Sequence, residues 1–242
     1  MTWPNPWRPA PAEPTAVRPP DRSAPLARVS RGALAANAGR LVARHPSPVA
    51  DVRRDAWGHG LDAAAEALRA AGARDALVDE AAEARAVSLG LRPVRTAATD
   101  PELLYGLPGS GGVPALALVT PVLSTKALRA GEGVSYGYTH RAPADTRVAL
   151  IAGGYAEGVV RALGNNATVD IGGVLRPIVG RVAMDVCVVD VGDQEVVAGD
   201  EAVFFGAGAA LDGLARWSAA TALTPAELVC AVGLHADREV VA

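Results

Sequence analysis

The stretch Asp51–Gly60, DVRRDAWGHG, sets Arg53 and Arg54 between two aspartates and places His59 between two glycines. A guanidinium, with pKa above about 12, keeps its proton and is a poor nucleophile. Arg53 therefore suits a bidentate contact with a phosphate or carboxylate, or a local ion pair with Asp51 or Asp55, and the local pair is the favoured reading. His59 belongs to a tight turn, where an imidazole that hydrogen-bonds its own loop is the expected role. Lysine occurs once, at Lys126 in STKALRAGEG. It is the one side-chain amine that could form an imine with a carbonyl compound, and it reads as a solvated lysine at a strand end. Cys187 and Cys230 lie far apart without a metal-like spacing, so reduced thiols and no metal site are expected. Cys187 sits in the alternating strand VCVVDV with no evident mate for a two-thiol acid–base pair. Asp185, just after Met184, is adequately explained as a turn-forming carboxylate.

The elements that must position these residues fall into two patterns. Met1–Ala27 holds eight prolines and little to bury, which predicts a disordered arm in which Trp3 and Trp7 are incidental. From Arg28 the text alternates. A helix is expected over Gly32–His45, a strand over Val49–Arg53, a helix over 61–73, a strand at DALV, a helix at DEAAEARAVSLG and a strand at LRPVRTA. Such alternation argues for parallel βα units, about three of them, too few to close a barrel that needs eight. The first of these strands carries four charges within five residues, Asp51 to Asp55, and so reads as an exposed edge or a remodelled strand. PGSGGVP (108–114) reads as a flexible linker. Beyond it, short strands are expected at 115–123, 147–152, 167–171, 174–179, 185–191 and 201–205. Two closing helices follow near 210–220 and 225–232, the second with Thr224 and Pro225 as start signals. The division expected is an arm (1–27), a small α/β domain (28–107), a linker (108–114) and a mostly-β domain (115–242).

With 242 residues, half of them hydrophobic, a fifth charged and a net charge of −3, the composition is that of an ordinary globular protein. The slightly acidic balance and scattered arginines argue against nucleic acid. No apolar run approaches the roughly 20 residues that span a bilayer, and the polar, Pro-rich start does not resemble a secretory signal. A cytoplasmic location is expected.

EGVSYGYTHRA (132–142), GGYAEG (153–158), GRVAMDVCVVDV (180–191) and GDEAVFFG (199–206) occur in that order. Together they closely resemble the C-terminal domain of bacterial alanine racemases, whose text runs SYGxTxxA, GYADG, GRVCMDQ with VDV, and GDEVxLFG. Towards the start, RDAWGHG is similar to that family's KADAYGHG and LLYGL to its LYGL. The resemblance implies a fold in which a remnant of a TIM-type, pyridoxal-phosphate-binding barrel precedes an all-β C-terminal domain, with roughly five of eight barrel units absent between Arg95 and Leu103. It implies a homodimer in which one subunit's β domain reaches into the partner's site, with pyridoxal phosphate as cofactor. Residue by residue, it places Arg53 at the imine-forming lysine and Tyr136 at the tyrosine that serves the opposite face of the substrate. Met184 falls beside the substrate carboxylate, with Ala183 in place of the usual Cys, and Tyr155 on the lining of the approach. Trp57 stands where a tyrosine contacts the phosphate, and Thr99 or Asp100 where an arginine faces the pyridine nitrogen.

Because a guanidinium cannot replace the neutral amine, covalent cofactor binding is expected to be lost. The leading expectation is a truncated alanine-racemase-like protein that does not racemise alanine alone. The alternatives are a non-catalytic interaction subunit, pairing through the β domain with itself or with a racemase-like chain, and an active pyridoxal-phosphate-dependent isomerase that acts on a small amino acid and makes D-alanine for cell-wall synthesis.

Overall fold

A computed structural model describes residues 24–242. The expected arm, with Trp3 and Trp7, lies outside the described residues up to position 23. Its proposed end is corrected: Leu26–Ser30 is a strand, β1, and Ala27 is fully buried. Ser30 then caps α1 (Arg31–Arg44), its hydroxyl accepting from the Ala33 N–H at 3.1 Å. Such a cap is worth about 1 kcal/mol. Ala33, Leu34, Ala38 and Leu41 bury one face of α1, as helical spacing requires.

The α/β part continues with β2 (Val49–Asp51), the short turn α2 (Arg53–Trp57), α3 (Leu61–Ala71), β3 (Asp75–Leu77), α4 (Glu83–Ser88) and β4 (Arg92–Pro93). The three strands form one parallel sheet in the order β2-β3-β4. The expected strand over 49–53 stops at Asp51. Arg54, Asp55, Ala56 and Trp57 all have φ between 52° and 55°, a left-handed turn that Gly58 extends at φ 81°. Left-handed backbone costs an L-residue roughly 1–2 kcal/mol, so the turn must be held from outside. Ala56 N–H donates to Val52 O and Gly58 N–H to Arg54 O, both at 3.0 Å. The Asp55 carboxylate accepts from Leu61 N–H at 2.7 Å and pairs with Arg238 at 2.6 Å.

The β part comprises β5 (Leu116–Leu128), β6 (Gly133–Val134), β7 (His140–Arg141), β8 (Thr146–Ala152), β9 (Thr168–Ile171), β10 (Val174–Pro177), β11 (Val186–Asp190) and β12 (Glu201–Phe205). Two helices, α5 (Gly213–Thr221) and α6 (Pro225–His235), precede a last strand, β13 (Asp237–Val241). The main sheet runs β10-β9-β12-β5-β1-β13, while β8 pairs both β5 and β11. The long β5 serves both arrangements: its first half faces β1 and β12, and after an irregularity between Val122 and Ser124 its second half pairs β8. The domain division read from the sequence is therefore corrected, because β1, from the N-terminal side, lies between β5 and β13. A single hydrophobic cluster also runs from Ala27 through Leu68 and Phe204 to Val232.

Residues 108–114 are a fixed loop rather than a flexible linker. The buried Asn37 side chain donates to Leu104 O (3.2 Å) and Val113 O (2.7 Å) and accepts from Val113 N–H (2.8 Å). Gly106 packs so closely on Val113 that an added Cβ would lie 1.8 Å from its carbonyl oxygen. Among the described residues, no single helix is long and apolar enough to cross a membrane.

Candidate functional site

Arg53 projects from the end of β2, half-exposed, onto the carboxylate of Asp51, whose side chain is 4% exposed. The contact is bidentate, with Nε–Oδ1 at 2.8 Å and the second fork on Oδ2, and the Arg53 N–H adds a third bond to Oδ1. This hydrogen bond, then the charge of Asp51, raises the guanidinium further above its ordinary value. Of the four charges expected on an exposed edge or a remodelled strand, Arg53, Arg54 and Asp55 are exposed in the turn after β2, itself an edge strand, while Asp51 is buried and paired. Its backbone carbonyl accepts from the Tyr105 hydroxyl.

Around this pair stands an aromatic stack. Trp57 lies on Tyr105 with ring centroids 4.9 Å apart, and His59 meets the other part of that ring at 4.5 Å. Burial, and then the Asp51 charge, pushes the Tyr105 hydroxyl well above its usual range. His59 is fully buried, with Nδ1 3.1 Å from Ala56 O and 3.3 Å from Trp57 O, as the loop reading anticipated. Burial lowers its pKa to about 4. Sequence reasoning gave Tyr105 no role. The LLYGL text was its only signal, because its partners are 54 and 48 residues away.

The remaining positions near this turn are engaged elsewhere. Thr99 bonds the edge of β2, donating its N–H to Val49 O at 2.8 Å, and Asp100 takes Arg44 and His45. Cys230, on α6, is half-buried; its thiol is raised by burial and then by Asp51. Cys187 is buried, pushed up to about 12 by desolvation, and its thiol donates to Gly153 O at 3.1 Å.

Tyr136, Met184 and Tyr155 lie in a different region. Tyr136 follows β6 in a short turn and is 72% exposed; Met184 is 53% and Tyr155 43% exposed. Backbone ties bring their three loops together. Ser135 Oγ donates to Arg181 O at 2.6 Å, while Tyr155 N–H and Ala156 N–H donate to Ala183 O and Met184 O at 3.0 Å. Gly154 permits the last contact, since a Cβ there would lie 2.1 Å from Met184 O. Arg161 stands over the Tyr155 ring at 5.5 Å.

Lys126 and Tyr136 border one cleft of about 580 Å³ with Ser124 and Tyr138. Lys126 is exposed near the end of β5 and makes no ion pair among the described residues.

Covalent attachment of pyridoxal phosphate needs a neutral amine, and the side chain at position 53 is a guanidinium closed onto a buried carboxylate. Trp57 has no hydroxyl to offer a phosphate, and neither Thr99 nor Asp100 is itself a cation. The side chains around α2 offer no amine for covalent attachment of that cofactor.

Residues 115–240, just over half the chain, match the family described as "Alanine racemase, C-terminal domain". The chain is 52% identical over 100 residues to the alanine racemase of Mycobacterium ulcerans, covering 40% of this chain and 26% of that protein. It is 41% identical over 138 residues to that of Frankia casuarinae, covering 56% and 36%. These matches span only about a quarter to a third of the relatives' lengths. The fold correspondence reaches further. The alanine racemase of Bartonella henselae, solved with covalently bound pyridoxal phosphate, aligns at a TM-score of 0.77 with 18% identity, covering 90% of this chain and 99% of that one. Its likeness is one of fold. With its C-terminal half matched by the family description and 41–52% identity to curated members, this chain belongs to the alanine racemase family.

Proposed function

We propose that this chain does not racemise an amino acid by itself and instead presents its β-part rim to another chain of the alanine racemase family. The observation that carries this reading is the Arg53–Asp51 pair. At the position where the family resemblance puts the imine-forming lysine, the side chain is permanently protonated and already bound at both forks. A barrel reduced to three short parallel strands supports it, since the cofactor-holding walls implied by the family would come from strands this sequence lacks.

The rim supports the positive half. Tyr136, Met184 and Tyr155 are anchored by backbone hydrogen bonds, yet their side chains stand in solvent. Exposed aromatic and thioether side chains on a fixed backbone are suited to burial against a partner. In that arrangement Tyr136 would enter the partner's site as acid–base group, with Met184 and Tyr155 shaping the approach of a small amino acid. The partner is a second copy or, more productively, an intact racemase whose own barrel holds the cofactor.

Two measurements test the proposal. Incubation with pyridoxal phosphate and borohydride is expected to leave the purified chain without a stoichiometric adduct and without L-to-D alanine turnover; an adduct together with turnover overturns the reading. Titration into an intact alanine racemase is expected to give a mixed species and a changed rate, an effect that Tyr136→Phe removes. No association by sedimentation at micromolar concentration removes the partner role.

A further inference from the structure

The second half of β5 and the 133–138 turn enclose a cleft of about 580 Å³ in the β part. Its size is that of small-molecule sites, roughly 300–1,000 Å³. Strand register decides what faces it. Lys126 on β5 is the Cα partner of Val148 on β8, and Ser124 of Leu150, which in turn pairs with Val188 on β11. Partners in an antiparallel ladder project to one side of the sheet. These five side chains therefore share a face, and Val134 from the turn packs on Val148 at its base. The opposite face, with Ala149, Ile151 and Cys187, belongs to the main core.

The shared face is graded from dry to wet. Val148 is buried, Leu150 and Val188 are half-buried, and Ser124 and Lys126 are exposed. Two exposed phenols, Tyr136 and Tyr138, border the same cleft. Their turn is held in place by the chain itself: Ser135 and Tyr138 keep left-handed backbone at φ 59° and 45°, and Ser135 Oγ is tied to Arg181 O. Lys126 is the one charged residue of the lining, and it makes no ion pair among the described residues. Further positive charge stands at the turn, where Arg141 lies over the Tyr138 ring at 5.7 Å. Asp190, on the same face across β8, does not neutralise Lys126. Two strand spacings, about 10 Å, separate them, and its carboxylate accepts from Thr146 Oγ1 at 2.6 Å and from Gly192 N–H at 3.0 Å. A half-buried aliphatic surface ending at an unpaired ammonium suits a molecule with an apolar body and one negative end.

We propose that this cleft binds a small amphipathic carboxylate. Its apolar body lies on Leu150, Val188 and the Tyr138 ring, and its carboxylate accepts from Lys126 Nζ, with the Ser124 hydroxyl as a second donor. One such molecule both covers the aliphatic surface and pairs the ammonium, whereas a bare anion or a bare hydrocarbon does only half. The site goes beyond the function proposed above, in which Lys126 and the β8 floor have no part.

The test uses octanoate and 1-octanol, alike in their chain and different in charge, with acetate as an anion that lacks the apolar body. Titration calorimetry on the full chain at low salt is expected to show octanoate binding about tenfold more tightly than 1-octanol, a gap that one charge-assisted contact supplies. Acetate is expected to show no binding at millimolar concentration. Lys126→Met, at an exposed position, is expected to bring octanoate and 1-octanol level, and Leu150→Ser to weaken both. Because Lys126 is the only lysine, ¹³C-methylation of its amine gives a single lysine resonance, which octanoate is expected to shift. No binding of octanoate at millimolar concentration, equal binding of octanoate and 1-octanol by the unaltered chain, acetate binding as tightly as octanoate, or a preference for octanoate that survives Lys126→Met overturns the proposal; an unmoved lysine resonance does the same.

Discussion

At the α2 turn, Asp51, Tyr105 and His59 are buried and Arg53 is closed onto Asp51, whereas at the rim Tyr136, Met184 and Tyr155 lie 43–72% exposed. The turn has strained backbone and strong internal bonding; the rim has backbone ties and largely exposed side chains. The difference teaches where each region's interactions are completed. Most polar groups at the turn find their partners within the chain, His59 Nε2 excepted. The rim's backbone is tied within the chain, and its side chains are exposed.

The comparison breaks first where the turn is packed. A Cβ on Gly58 would lie 2.4 Å from the Gly233 Cα, at a residue with φ 81°. Gly58→Ala is expected to destabilise by about 3 kcal/mol or more, because backbone on α6 must move. Gly72→Ala is the control: φ is 91° but nothing lies within 4 Å of the added Cβ. It is expected to cost about 1 kcal/mol. Chemical denaturation of the two variants checks the contrast, and equal losses would mean that the close approach contributes nothing.

Acidification is the next largest effect. The folded pKa of His59, about 4, lies below the value of about 6.5 it has when exposed. Between those values the unfolded chain binds more protons, so stability rises with pH. The His59 contribution is complete above about pH 6.5 and is lost as pH falls towards 4, amounting to roughly 3 kcal/mol. Denaturation midpoints at intervals across that window measure it, and His59→Phe should flatten the slope.

Asp51→Ala leaves the guanidinium able to reach water, since Arg53 is half-exposed. The expected loss is about 1–2 kcal/mol, from the hydrogen bonds to the side chain and to Arg53 N–H. Arg53→Lys should be milder, because the buried carboxylate would hold the new ammonium, and it is expected to show no L-to-D alanine conversion. Conversion by that single variant would overturn the proposed function. The smallest effect belongs to the rim, where Tyr136→Phe and Met184→Ala should each change stability by less than about 0.5 kcal/mol. A larger loss would mean that these side chains already have internal partners, and the contrast with the turn would fail.

Local text determined a good deal. Helix-forming runs with start and stop residues gave α1, α3 and α6 within a few positions, and alternation gave β5, β8, β9, β11 and β12. The guanidinium at position 53 is a matter of residue identity and was readable directly, as was the ordered set of motifs from Glu132 onward. Reading Arg53 as the partner of Asp51 also succeeded, because two residues on one short segment can meet without help from the rest of the fold.

What lies far apart in sequence was decided only by the tertiary structure. β1 joins β5 across 87–93 residues and β13 across 211, pairings that no local propensity encodes. The left-handed turn at 54–57 goes against the preference of every non-glycine residue in it and exists because Asp79, Arg238 and the packing of Gly58 on Gly233 hold it. Residues 108–114 have the composition of a flexible linker, yet Asn37, more than 70 residues earlier, fixes them. Sequence sets what each segment can be; hydrogen bonds and close contacts between distant segments select which of those states survives, since only they offset the cost of strain and of a buried polar group.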